Sequence, residues 1–156
     1  TGDRGVIIST TEIAMSGLSL GSTNYTGGDL GVVVIATGTI APIEYTLQGS
    51  IAGGWSLSTD GHADAQNEIA VHAMFKATAP NLADFEGAGI TTNLLGSVAD
   101  VGDGAPGKYE LAAGQQMDDL ALTDSRNLWF QLKLAPTSNQ PGAQTITVTV
   151  TAEAAD

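Results

Sequence analysis

The sequence predicts an all-β domain, an antiparallel β-sandwich of jelly-roll or immunoglobulin-like type with about eight strands. Three observations predict it. Short runs rich in Val, Ile and Thr alternate with polar residues at period two. Clusters of Gly, Asn, Asp and Pro separate those runs. No segment supplies the dozen or more residues of helical crossover that a parallel sheet requires. The length of 156 residues fits one domain spanning 1–156, and an apolar content of 42% is enough for a core without staples.

The elements follow in order. Residues 6–15 form the first candidate strand. Gly27, Gly28 and Asp29 make a turn. Residues 29–40 follow, centred on Val32, Val33, Val34 and Ile35, a β-branched run that reads as a strand buried on both faces. After Pro42, Ile43, Tyr45 and Leu47 alternate with Glu44, Thr46 and Gln48, the pattern of a half-buried strand. Gly53 and Gly54 turn the chain into Trp55, Leu57 and Thr59. Residues 60–67 are a polar loop. Ile69, Val71, Ala73 and Phe75 then form one face of a strand and Ala70, His72, Met74 and Lys76 its more polar face. Asn81 caps a single helical turn over 81–86.

The region 90–101 is less regular, 100–107 is a Gly- and Asp-rich loop, and 109–113 is a short strand. Residues 127–134 make a strong strand with Leu128, Phe130, Leu132 and Leu134 on one face and Trp129 on the other. The last strand, 144–152, sets Ile146, Val148 and Val150 against Thr145, Thr147, Thr149 and Thr151. Its short connection to residue 134 makes it the expected hairpin partner of 127–134. The expected core is Val32, Val34, Ile69, Val71, Phe75, Leu128, Phe130, Leu132, Ile146, Val148 and Val150. Trp129 is buried as well if the sheet is covered on both sides, against a neighbouring subunit for example.

Charge excludes some partners. The net charge is −12 with five basic residues, so a phosphate backbone is repelled and nucleic acid is not an expected partner. No run approaches the roughly 20 apolar residues of a membrane-spanning helix, so no membrane insertion is expected. The absence of Cys excludes disulfides and thiolate chemistry. A polar start at Thr1 suits a mature secreted protein whose signal peptide has been cleaved, located outside the cell or on its surface.

The residues that carry chemistry elsewhere are sparse here. The histidines are His62, on a loop, and His72, expected as a surface strand residue, and no Gly-x-Ser-x-Gly elbow or His–Glu metalloprotease spacing accompanies them. Asp118 and Asp119, or Asp100 and Asp103, are the carboxylate pairs open to acid–base work on sugars, yet loop aspartates are usually solvated turn formers. No enzymatic activity is expected. Calcium is the metal that suits the hard oxygen donors of loop aspartates, with Asp100, Asp103, Asp118, Asp119 and Asp124 as candidate ligands beside Asp60 and Asp64. The run from Asp100 to Gly104 fails the EF-hand spacing. Asn24, Tyr25 and Thr26 form one glycosylation sequon, in an expected loop.

Two stretches carry a resemblance. One is Arg126-Asn-Leu-Trp-Phe-Gln-Leu-Lys-Leu-Ala-Pro136, followed by a Ser/Thr/Asn loop and the Thr-alternating strand from Gln144 to Ala152. The other is Ile69-Ala-Val-His-Ala-Met-Phe-Lys-Ala77, then Pro80, Asp84 and Phe85, and Thr91 and Thr92. Together they resemble small secreted bacterial β-sandwich proteins of uncharacterised function, and in style the β-sandwich subunits of extracellular filaments and pili. The resemblance brings no site residues with it.

The expected function is that of a structural subunit of an extracellular filament or surface assembly, with the protein itself as partner in a homopolymer joined by β-strand addition. Residues 1–13 are the expected exchanged strand, with Val6, Ile7, Ile8 and Ile13 at the subunit interface. The alternative is a secreted carbohydrate- or surface-binding module, which requires exposed aromatics grouped on one face.

Overall fold

A computed structural model describes residues 2–27, 30–87, 93–101, 109 and 117–155. Two sheets pack face to face as a β-sandwich. The larger runs β1 (Arg4–Ile8), β3 (Val32–Gly38), β8 (Ser125–Leu134), β6 (Glu68–Phe75), β5 (Ser56–Leu57), with β2 (Thr23–Tyr25) also on β8. The smaller runs β7 (Asp100–Val101), β4 (Ile43–Ala52), β9 (Thr145–Ala154). β2 and β3 lie end to end along the same side of β8, opposite Gln131–Lys133 and Ser125–Leu128. Thr26 extends the first of them, giving its N–H to the Phe130 carbonyl and accepting the Phe130 N–H at its hydroxyl.

Among the described residues every ladder is antiparallel except one. β5 runs parallel to β6 over two residues, a departure from the all-antiparallel expectation that the loop 60–67 makes possible by returning the chain to its own starting end. Ser58 and Asp60 knot that loop. The Asp60 carboxylate accepts the His62 N–H and the Ser58 hydroxyl, and those bonds hold its pKa below the usual carboxylate value.

The core is drawn from the predicted alternating sets. Val32, Val34, Ile69, Val71, Phe75, Leu128 and Leu132 are buried with Tyr45 and Leu47 between the sheets. Phe130, Ile146, Val148 and Val150 point the same way and are only half-buried. Trp129 faces outward from β8 and is nonetheless buried, beneath the chain's own helix α1 (Leu82–Gly87), with Met74 and Phe85. Asn81 caps α1 as expected, its side-chain oxygen accepting the Asp84 N–H at 3.1 Å. Asp84 in turn pairs with Lys76, whose ammonium lowers the Asp84 pKa.

Several expectations are corrected. The first strand ends at Ile8, not at residue 15, because Ser9 ties back to Val33 and the polar Thr10, Thr11 and Glu12 leave the sheet. The last strand pairs with β4 over its whole length, and not with β8 as a hairpin. The connection 135–144 carries the chain across to the other sheet, pinned by Asn67 to Ser138 and Asn139. β4 buries Glu44 and Thr46 besides its apolar face. His72 is 1% exposed, not a surface residue. Leu94 bridges to it along the β6 edge, and the outer face of β6 lies in the layer that holds Met74 and Trp129. Asp100 belongs to a strand, not a loop. The turn at Gly28 and Asp29, the loop beyond residue 101 and most of the expected strand 109–113 lie outside the described residues. Among the described residues no helix is long and apolar enough to cross a membrane.

Candidate functional site: the open side of the sandwich

Two sides of the sandwich are closed by backbone. The outer edge of β6 is covered by β5, by Asn93 and Leu95, which bond to Ala73 and Val71, and by Tyr109, which bonds to Phe75. The outer edge of β4 is covered by Gly96, β7, Met117 and Leu120. The remaining side is closed only in part. β1 sits there on the edge of β3, in register from Arg4 opposite Gly38 to Ile8 opposite Val34, and approaches β9 of the other sheet without hydrogen-bonding to it.

The sequence dictates how β1 docks. Val6 and Ile8 alternate inward onto the core while Ile7, 55% exposed, points away. At the entry, the Asp3 carbonyl accepts the Thr39 N–H and the Asp3 N–H donates to the Thr39 hydroxyl. The chain comes so close at Gly38, with φ of +120°, that an added Cβ would lie 2.1 Å from the Asp3 oxygen. Only glycine fits there. Gly38→Ala is therefore expected to detach the start of β1 and to lower stability by roughly 1–3 kcal/mol. Denaturant melts together with hydrogen exchange at Gly5 and Ile7, whose N–H groups face β3, would check this. Faster exchange confined to β1 is the expected signature.

Below β1 the side is open. A cavity of about 810 Å³ lies between the sheets, floored by Phe130, Val148 and Val150 and roofed by the irregular segment after β1 through Ile13, Met15 and Leu18. The space opens to solvent, and its largely apolar lining also includes polar residues such as Thr10, Thr11, Gln140 and Gln144. This is why Phe130 and the inner face of β9 stay half-buried. Among the described residues, Glu12 is the one charged residue on the lining.

The four expected interface residues divide between these parts. Val6 and Ile8 are on the inner face of β1, Ile7 on its outer face, and Ile13 on the roof of the cavity. In the single chain, β1 is held by its own domain.

The expected ion and glycan sites are placed as follows. Asp124 organises a turn, accepting the Ala121 N–H at 3.1 Å, and stands 3.9 Å from Arg126. Asp118 is half-buried and Asp119 exposed with φ of +51°. Among the described residues, no three acidic or histidine side chains are grouped to hold a metal. Asp103 and the side chain of Asp100 are outside the described residues. Asn24 lies in strand β2 and not in a loop, half-buried, with its amide donating to the Ser22 hydroxyl. The sequon's Thr26 is buried against β8, which the sequence pattern did not reveal. His62 is exposed. No protein-family model matches the chain, and no curated protein matches it in sequence.

Proposed function

We propose that the protein is a structural subunit of an extracellular filament or surface assembly, in which the N-terminal segment of one copy is donated to the sheet of the next. The observation that carries this reading is the way the open side is closed. The first strand, five residues long, closes part of the open side, and it hangs on an irregular tether, residues 9–22, before β2 begins. Extended at ~3.3 Å per residue, that tether reaches roughly 45 Å. The radius of gyration expected for a domain of this length is roughly 15 Å. β1 can therefore occupy the β3 edge of a neighbour with every contact it makes at home. The exchange preserves the contacts of β1 and gives up those that Ile13, Met15 and Leu18 make with the core, and the join is heterologous, so it propagates as an open polymer. A neighbouring body at this side would also cover the apolar cleft, which the lone subunit leaves open to water.

The carbohydrate-binding alternative needs aromatics presented together. Trp129 is buried under α1 and Trp55 faces the cleft, which leaves Tyr25 as the exposed aromatic among the described residues.

The chain has no Cys, which makes a cross-linking test clean. Ile7 and Ile35 face each other across β1 and β3. Assembled Ile7→Cys/Ile35→Cys protein, oxidised, is expected to give a ladder of covalent oligomers on a denaturing gel. Oxidised before assembly, the same protein has β1 fixed on its own β3 and forms no open polymer. Polymers whose cysteines all close within single chains would overturn the proposal. A variant lacking residues 1–13 should stay unpolymerised and bind a synthetic peptide of that sequence.

A further inference from the structure

The open side presents a second feature, the outer edge of β9. It is the longest bare strand edge among the described residues. β9 holds β4 in unbroken register from Thr145 opposite Ala52 to Ala154 opposite Ile43. β1 of the other sheet lies close to part of it, but no backbone hydrogen bond reaches its other side. Exposed edges are normally blunted with Lys, Pro, a bulge or short length. β9 has none of these. From Thr145 to Ala152 it carries no charge, no Pro and no Gly, and its exposed face is a row of four threonines.

An edge of this kind accepts only another extended backbone. The charge pattern says which one. Two copies of a chain with net charge −12 repel wherever acidic surfaces meet, so a close contact requires an uncharged surface on both. The β9 edge is such a surface, and its only ionisable residue is Glu153 near one end. Parallel self-pairing would set the two Glu153 side chains beside each other at the ~4.8 Å strand spacing. Antiparallel pairing about Thr149 sets Glu153 opposite Thr145. The two carboxylates are then eight residues apart, about 27 Å, well beyond the ~8 Å screening length at physiological salt.

We propose that β9 is a lateral self-association edge, pairing antiparallel with β9 of a second copy about a two-fold axis at Thr149 to make one continuous sheet across two subunits. The contact is isologous and closes on itself. It is independent of strand exchange through β1, and where both operate it joins one filament to another side by side.

The test uses the full chain. Thr149 is its own partner in this register, so Thr149→Cys is expected to give disulfide dimers on mild oxidation. Thr145→Cys places its sulfurs about 27 Å apart and is expected to give none. The oxidised Ile7→Cys/Ile35→Cys protein, which cannot exchange β1, is expected to sediment as a dimer. Adding Thr149→Lys opposes two ammonium groups at the axis and is expected to return it to monomer. The substitution is on an exposed face, and circular dichroism would confirm that it leaves the fold intact. Equal dimer yield from Thr145→Cys and Thr149→Cys, a locked protein that stays monomeric, or a locked dimer that survives Thr149→Lys would each overturn the pairing. A locked dimer that loses its partner with Thr149→Lys would uphold it even if strand exchange through β1 failed its own test.

Discussion

Trp129→Ala is expected to destabilise the protein by about 3–5 kcal/mol, the range for deleting a buried large aromatic. Trp129 is 4% exposed and packs on Met74 and Phe85. Its indole N–H donates to the Lys76 carbonyl at 2.8 Å. Gly31 lies so close to the ring that an added Cβ would be 2.7 Å from it. A cavity at this position has helix α1 on one side and a sheet strand on the other, and a rigid sheet cannot collapse into it. Loss of the indole also leaves the Lys76 carbonyl without that donor, a further cost of order 1 kcal/mol. Trp129→Phe keeps most of the apolar volume and loses the N–H, so it should cost much less. Chemical denaturation of the two variants checks the order. A near-neutral Trp129→Ala would mean that α1 does not bear on the sheet.

The same residue shows what was legible in the sequence. The alternation Leu128, Trp129, Phe130 fixes which side chains share a face, and the structure has Trp129 opposite Phe130 as that pattern requires. What covers the outer face is another matter. Pattern gives the period of a strand and not the identity of the layer above it, so α1 as the cover for Trp129 was not legible, although Asn81 as the helix cap was. His72 fails for the same reason. A polar residue in an alternating strand reads as solvent-facing unless something lies over it. Pairing partners fail differently. The strand 145–154 is plain from its threonines, but a ten-residue connection can close a hairpin or cross to the opposite sheet. The crossing depends on Asn67 gripping Ser138 and Asn139 from a distant loop.

The candidate site was half legible. Val6, Ile8 and Ile13 stand out as an apolar series in a polar terminus, and all three pack against the core. The cleft beneath them was not legible, because a volume left empty is the joint result of two sheets and a coil. No residue announces it. Phe130 and Val148 read as ordinary core positions and only their partial burial reveals the gap.

Alkaline pH is expected to remove about 2–3 kcal/mol of stability through one side chain, Tyr45. It is fully buried, stacks on Phe75 with ring centroids 6.3 Å apart, and its hydroxyl has no hydrogen-bond partner among the described residues. Burial pushes its pKa up from 10.0 to about 12, with Arg126 pulling it back and Asp124 adding to the rise. The unfolded chain releases this proton near pH 10, while the folded chain holds it to about pH 12. The native state therefore binds more protons across that window, and stability falls as pH rises through it. The effect sets in near pH 10 and levels off beyond about pH 12. At roughly 1.4 kcal/mol per pKa unit, the loss comes to the figure above. Tyr45→Phe isolates it from the other titrating groups. The variant discards a hydroxyl that gains nothing from burial, so its stability near pH 7 should match or exceed the parent's. The gap between the two should then widen in favour of Tyr45→Phe from pH 10 to 12. Parallel stability curves for the two proteins across that range would refute the buried, unpartnered phenol.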